Sequence, residues 1–294
     1  MPRFLAMADL EPERLRRVKR LLLWVAGLCL LAGCASAPAE DARILFIDVG
    51  KGDAALVMAG DRNYLVDAGP KDAWDQVSAA LSFYGVSKLD GVFLTHGDKD
   101  HSGGLKELAR SDVEVSAWYA SDLYADDGET GHPADEAAQI RGQRAEYLPA
   151  GSTVGFFTVL GPLTRDKDDD NNSLVLMLKA SGSQALLTGD MKFDEEEELL
   201  QSGRSLQCDL IKIAHHGNSD ATSSLLIDAA KPRIAVVSTD SEARPELPDP
   251  RIVKLLAEKG IPLYSTWNSG GGVLVTLEGA NTRAENVTIP VLSK

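Results

Sequence analysis

Short apolar runs, each closed by glycine or aspartate, recur along this chain and set the first expectations. Ile44–Val49 reads as a strand ending in the corner Gly50-Lys51-Gly52-Asp53. Ala54–Met58 and Tyr64–Gly69 read as two more, separated by the turn Asp61-Arg62-Asn63. Trp74, Val77, Ala80, Leu81 and Tyr84 share one face at helical spacing, which predicts a helix over Ala73–Tyr84 with Asp72 at its start. Gly91–Leu94 is a further strand and Leu105–Ala109 a helical stretch. Val113–Tyr119 alternates apolar with polar and reads as a strand. Asp122–Ala137 is acidic and reads as loop, with a weak helix following to Gln143. Phe156–Leu160 and Ser173–Leu178 are expected strands around the polar turn Arg165–Asn172, and Ala185–Asp190 is a strand that ends in a carboxylate. Phe193–Leu200 is a helix whose Glu195–Glu198 run reads as a solvated face. Asp209–Ala214, Ile234–Ser238, Pro262–Thr266, Gly272–Leu277 and Val287–Val291 complete the strands, and Ser223–Ala230 and Pro250–Lys259 the helices. Strands outnumber helices and the two are interspersed, so an α/β fold of sheets covered by helices is expected.

The chemistry gathers at strand ends. Of five histidines, four follow apolar strands directly: His96 and His101 within Thr95–Gly104, and the pair His215-His216. In extended chain His96 and Asp98 point the same way, while Asp100 and His101 turn toward the next helix. Burying such groups unpaired is costly, and a polyvalent cation is their natural partner, so this spacing alone predicts a metal site. Asp190 also ends a strand, and strand ends in layered α/β folds converge on one edge. Taken alone, His215-His216 equally suits a helix cap and a packed histidine. His132, in the acidic stretch, reads as an exposed loop residue.

The first 33 residues differ from the rest. Arg14, Arg16, Arg17, Lys19 and Arg20 precede the apolar run Leu21–Leu31, which stops at Ala32-Gly33-Cys34. That order describes a secretory signal, and the apolar run is short for a membrane span. Leu31-Ala32-Gly33-Cys34 resembles a bacterial lipobox, with Cys34 as the lipidated first residue after cleavage; a plain signal peptide or a short anchor helix is the alternative. The expected organisation is a signal over 1–33, a tether over 34–42 and one domain over 43–294. The signal carries six basic and three acidic side chains, so its removal takes the net charge from −14 to −17. That balance speaks against a grip on polyanions by the whole surface and leaves room for a local basic patch. With Cys29 and Cys34 taken up by the signal and the lipid, Cys208 has no partner for an intrachain disulfide and reads as a buried packing thiol.

Six motifs in order resemble the metallo-β-lactamase fold superfamily, and within it the hydrolase domain of ComEC-like competence (DNA-internalisation) proteins. They are Phe46–Asp53, Leu65–Gly69, Thr95–Gly104, Asn171–Leu176, Leu187–Asp190 and Lys212–Gly217. The resemblance implies an αββα four-layer sandwich with the site at one edge between the sheets. It implies two divalent ions, the first held by His96 and Asp98, the second by Asp100 and His101, with Asp190 bridging. One of His215 and His216 would ligate the second ion; the other would contact substrate or give a proton to a leaving group. A metal-held hydroxide, oriented by Asp100, would be the nucleophile. Asn171, Asn172, Ser173, Lys212 and Ser219 become candidates for holding a phosphate or carbonyl oxygen, although each alone also suits strand-end turn chemistry.

Departures from the pattern sharpen the expectation. Asp98 stands where many members carry histidine, which favours Mn²⁺ or Mg²⁺ and leaves Zn²⁺ as the second choice. The histidine common before the strand at Ser173 is absent, with Asp168–Asn172 in its place, so one metal position is expected to be weak or filled only with substrate. Lys51 replaces a glutamine usual in the first motif, and Glu246-Leu247-Pro248 lacks the histidine usual there. The expected function is a metal-dependent hydrolase, with a phosphodiesterase or nuclease-like activity favoured. A lactonase or ester hydrolase of the same fold and a catalytically silent binding lipoprotein are the alternatives. Small or polymeric phosphodiesters are the expected substrates, a separate membrane channel is a candidate partner, and the bacterial envelope, lipid-anchored and facing the periplasm, is the expected location.

Overall fold

The computed structural model describes residues 42–123 and 131–291, so the signal segment, Cys34 and nearly all of the tether lie outside the described residues. The first half of the described chain runs β1 (Ala42–Ile47), β2 (Ala55–Ala59), β3 (Arg62–Val66), α1 (Trp74–Phe83), β4 (Lys88–Leu89), β5 (Gly91–Leu94), α2 (Lys99–Ser102), α3 (Leu105–Arg110), β6 (Glu114–Val115), β7 (Trp118–Ser121), α4 (Pro133–Ile140) and β8 (Ala145–Leu148). The second half runs β9 (Thr153–Val154), β10 (Phe157–Gly161), β11 (Val175–Ala180), β12 (Ser183–Leu187), α5 (Phe193–Gln201), β13 (Leu210–Lys212), α6 (Ser224–Ala230), β14 (Ile234–Val237), α7 (Pro250–Glu258), β15 (Leu263–Ser265), β16 (Gly271–Leu277) and β17 (Arg283–Thr288).

Among the described residues, one sheet has eight strands in the order β17-β16-β1-β2-β3-β5-β7-β8, and a second has seven in the order β15-β14-β13-β12-β11-β10-β9. In the first, β3, β5, β7 and β8 run parallel; in the second, β12 to β15 do. The inner strands β2, β5, β13 and β14 are buried along their whole length, which is why they read as apolar runs without alternation. Side chains from both sheets meet in one apolar layer, with Ile44, Phe46 and Phe93 facing Phe157, Leu176 and Val236. The outer face of the first sheet packs on α1, α3 and α4 through Val77, Leu81, Leu108 and Ala137. The outer face of the second packs on α5, α6 and α7 through Leu199, Leu226 and Leu256. Three apolar layers between four of secondary structure make the expected αββα sandwich.

Phe93 pins the strand that leads into the histidine motif. Its ring stacks on Tyr119 at 4.9 Å and meets Phe157 of the opposite sheet at 4.8 Å, each contact worth about 0.5–1.5 kcal/mol beyond burial. A hydrogen bond from Leu174 N to Thr95 O (2.9 Å) ties the two sheets together at the start of the motif.

Several local expectations are corrected. The stretch expected to be acidic loop contains helix α4, which starts at Pro133 with His132 as its cap: Nδ1 accepts from Ala134 N at 3.2 Å. His132 is therefore a half-buried cap and not a loop residue. Glu195 and Glu196 are buried: Glu195 lies against Gly161 of β10, and Glu196 accepts from Ser223 N at the start of α6. The predicted strand Val113–Tyr119 is two short pieces, β6 and β7, in different sheets. The last strand lies earlier than predicted, ending at Thr288. Cys208 is buried as expected, and burial pushes its thiol pKa up to about 12.

Candidate metal centre

Parallel strands deliver the site. β5 ends at Thr95-His96, β12 at Asp190, β13 at the His215–Gly217 turn and β14 at Ser238, while β1 and β3 bring in Asp53 and Asp67 from the facing edge. Two groups of ligand-type side chains result, with their ligand atoms within 4.8 Å of one another in each. The first is Asp53, His101, Asp190 and His216; the second is His96, Asp170 and Asp190. Asp190 belongs to both. Its Oδ2 lies 3.2 Å from His101 Nε2 and 3.1 Å from His216 Nε2. In the second group His96 Nε2 is 3.4 Å from Asp170 Oδ1.

The surrounding hydrogen bonds fix which ring nitrogens face these groups. His101 Nδ1 donates to Asp67 Oδ2 at 2.8 Å, and His216 Nδ1 donates to the Ser238 carbonyl at 3.1 Å. Both rings therefore turn Nε2 inward, the arrangement that tunes and orients metal-ligating histidine. Asp67 is itself held by Thr95, whose N and Oγ1 donate to it at 2.8 and 2.7 Å. The turn carrying the histidine pair is built against local preference: His215 and His216 have φ of 48° and 53°, a left-handed conformation costing of order 1–3 kcal/mol per non-glycine residue. Gly217 follows because a Cβ there would sit 2.6 Å from Pro248 Cβ. The Glu246-Leu247-Pro248 segment thus buttresses the turn.

Burial and charge act together here. Burial opposes charge on His101 and His216, but the Asp190 carboxylate outweighs it and raises both pKa values, with Asp67 adding to His101 and Asp100 to His216. Burial likewise opposes charge on Asp190, and His216 and His101 outweigh it, holding its carboxyl well below the usual range. For His96 burial prevails and lowers the pKa.

A divalent cation fits this set of donors. Three buried atoms within the two groups, Asp53 Oδ1, His96 Nε2 and Asp190 Oδ1, have no hydrogen-bond partner, a costly arrangement that a cation would relieve. Carboxylate oxygens and imidazole nitrogens together suit Mn²⁺, Mg²⁺ or Zn²⁺.

The predicted residues divide. His96, His101, Asp190 and His216 converge as expected. Asp100 sits beside His216, Oδ2 to Nε2 at 3.4 Å, and holds Lys51 on the same oxygen. Asp98 is exposed and belongs to neither group, because its backbone starts α2, where its carbonyl accepts from His101 N and Ser102 N. His215 lies at the rim, Nδ1 on Asp220 Oδ1 at 2.8 Å and Nε2 3.9 Å from Asp170 Oδ2. Lys212 is buried away from solvent on Asp53, Nζ to Oδ2 at 2.6 Å. Asn172 closes the turn before β11 through Asp166 and Asp168, Asn171 accepts from Glu195 N, and Ser173 Oγ accepts from Asp190 N. Of the five expected substrate contacts, only Ser219 is exposed.

Two residues of the groups were not predicted. Asp170 occupies the place where a histidine was missed, and the only signal was the carboxylate-rich run Asp168–Asp170 itself. Asp53 was read as a corner residue, although an aspartate between Gly52 and the buried Ala54 has no solvent to meet.

Beside the centre lies a groove of about 1530 Å³, lined by Asp98, Asp100 and Asp169 near the histidine motif. Lys71, Lys99, Lys106, Arg110, Arg165 and Lys167 also line it. Among the described residues no helix is long and apolar enough to cross a membrane.

The comparisons with known proteins agree with this geometry. The chain is 26% identical over 273 residues to ComE operon protein 3 of Bacillus subtilis (strain 168), covering 84% of this chain and 34% of that protein. It is 28% identical over 295 residues to Competence protein ComA of Neisseria gonorrhoeae, covering 91% of this chain and 41% of that protein. The chain thus spans well under half the length of these relatives. Among solved structures, the metallo-beta-lactamase fold protein YhfI from Bacillus subtilis superposes with a TM-score of 0.53 at 16% identity, covering 81% of this chain and 100% of that one. The family model described as Metallo-beta-lactamase superfamily matches residues 47–241, a span that holds every member of both ligand groups. The chain belongs to the metallo-β-lactamase superfamily.

Proposed function

We propose that this chain is a metal-dependent hydrolase of phosphodiester bonds, anchored by lipid on Cys34 and facing the periplasm of a bacterial envelope. The observation that carries the catalytic part is Asp190, one buried carboxylate shared by two ligand groups. Two divalent ions held there would supply Lewis acidity and a nucleophile from water at neutral pH, the arrangement suited to in-line attack at phosphorus. Asp190, His101 and His216 would hold one ion with Asp53 or Asp100; His96, Asp170 and Asp190 would hold the other. The oxygen-rich second group favours Mn²⁺ or Mg²⁺ over Zn²⁺. His215, oriented by the contact of its Nδ1 with Asp220 Oδ1, would give or share a proton at a leaving oxygen. The groove exceeds the roughly 300–1,000 Å³ typical of small-ligand pockets, and the six basic residues that line it beside seven acidic ones offer an anionic chain partners along its length. An extended phosphodiester suits it better than a compact lactam or lactone. The lipobox-like Leu31–Cys34 supports the anchor, and a membrane channel carried by a separate chain is the partner that such a location suggests.

The test is a substrate panel. The full chain, stripped of metal and resupplied with Mn²⁺ or Zn²⁺, is assayed on bis-p-nitrophenyl phosphate, single-stranded DNA and a lactone. Manganese-dependent phosphodiester turnover, lost in Asp100→Ala and Asp190→Ala, is expected. Turnover of the lactone alone, or of nothing, would overturn the reading.

A further inference from the structure

Each of the three carboxylates that stand around Asp190 carries one lysine. Lys212 holds Asp53 (2.6 Å), Lys51 holds Asp100, and Lys192 holds Asp170 at 2.6 Å together with Asp168 at 2.7 Å. Asp190 itself, among the described residues, pairs only with His101 and His216. The three lysines are not equivalent. The Lys212 side chain is 4% exposed and also donates to the Ile213 carbonyl at 3.0 Å, so it stays beneath the centre. Lys51 and Lys192 are 33% and 20% exposed, and they approach from different loops. Lys51 is aimed by the backbone: a Cβ on Gly52 would sit 2.5 Å from the Asp100 carbonyl, and Asp53 N donates to that carbonyl at 3.1 Å. The corner is thereby clamped onto Asp100. Lys192 follows Asp190 by two residues and also lies 3.9 Å from Asp220, the partner of His215.

A lysine and a divalent ion compete for the same carboxylate, since both draw on the same negative charge. An ammonium released from that carboxylate beside two ions is left without a counter-charge, and an anionic substrate supplies one. We propose that Lys51 and Lys192 are exchange residues: they neutralise Asp100 and Asp170 until metal takes those carboxylates, and then bind the non-bridging oxygens of a phosphate-bearing substrate. The assignment rests on the metal-dependent phosphodiesterase reading and adds to it two specificity-determining side chains for the anion.

Exchange has a signature that a structural lysine lacks. Removing either ammonium should tighten metal binding and weaken anion binding, and a lysine that only supports the fold would weaken both. The test measures Mn²⁺ affinity of the full chain by electron paramagnetic resonance of free ion, and then inorganic phosphate affinity of the Mn²⁺-saturated protein by calorimetry. Lys51→Met and Lys192→Met are compared with wild type and with Lys254→Gln, a change at an exposed lysine distant in sequence from the centre. Lys51→Gln and Lys192→Gln keep a polar head and serve if the methionine variants unfold. Metal binding tighter by about fivefold or more, with phosphate binding weaker by about tenfold, is the expected result, within the usual range of linked equilibria. On a phosphodiester the same variants should raise KM more than they lower kcat. Joint weakening of both affinities, or no change in either, would overturn the assignment. Opposed shifts in a chain that cleaves no phosphodiester would leave the exchange standing and sink the phosphodiesterase reading instead.

Discussion

Replacing Lys212 with methionine probes the least replaceable contact below the centre. The Asp53–Lys212 pair is 2.6 Å apart, with side chains 9% and 4% exposed, so solvent does little to screen it. Breaking a buried pair by removing one partner costs about 3–5 kcal/mol, because the remaining charge stays buried. Losing the bond to the Ile213 carbonyl adds about 1 kcal/mol. Against this, His216 Nδ1 lies 3.9 Å from Asp53 Oδ1 and offsets part of the loss. About 3 kcal/mol is therefore expected in metal-free protein. A divalent ion shared with Asp53 would stand in for the ammonium, so the loss should fall by half or more at saturating Mn²⁺. Urea unfolding at pH 7, in chelator and in Mn²⁺, reads both numbers; for a chain of this size the metal-free loss corresponds to a drop in Tm of about 6–12 °C. Asn at position 53 together with Met at 212 should recover much of the stability, since no unpaired charge remains. A metal-free loss below about 1 kcal/mol, or the same loss with and without Mn²⁺, would refute the placement of Asp53 in the ion-binding group.

Three further outcomes follow from the same contacts. His101 and His216 have raised pKa values in the folded metal-free chain, so their contribution to stability is complete below the unfolded imidazole value of about 6.5 and is lost as pH rises through the folded values. Chelated protein should therefore lose Tm above that pH, while apparent Mn²⁺ affinity rises with pH as the ion displaces those protons; calorimetry in two buffers of different ionisation enthalpy counts the protons released. Glu195 is buried, and burial raises its pKa well above the usual value, outweighing a backbone contact from Ser173. Its folded pKa lies above its unfolded one, so it destabilises increasingly as pH climbs past the unfolded value; Glu195→Gln should raise Tm at pH 8 and leave it unchanged near pH 4. Cys34→Ala should move the protein from the membrane fraction to the soluble periplasmic fraction, and unchanged fractionation would contradict a lipid anchor on that residue.

What the sequence made legible depended on whether chemistry sat at the end of an apolar run. His96, Asp190 and His216 come shortly after apolar strands and His101 lies in the same motif as His96, so the break from apolar to charged marked them clearly. Asp53 and Asp170 carry no such mark. The first lies in a glycine corner that resembles any tight turn, and the second in the run Asp166–Asp170, whose members differ only in where a 3₁₀ turn over Asp169–Asn172 points them. The same blindness to direction explains Glu195–Glu198, four identical side chains of which two face the core. The start of helix α4 was placed too late because Ala134, Ala137 and Ala138 bury a face too small to register as an apolar stripe. Lys212 read as an anion-binding residue because its charge was visible and its burial was not.

Asp190 belongs to both ligand groups, so the proposed two-ion chemistry depends on it. The most direct measurement is the number of Mn²⁺ ions bound per full chain at saturation, by equilibrium dialysis, in wild type and in Asp190→Ala, with phosphodiester turnover read on the same samples. Two ions per wild-type chain are predicted, with fewer than one retained and turnover lost in Asp190→Ala. Full metal binding by Asp190→Ala, or none by the wild type, would contradict the shared centre.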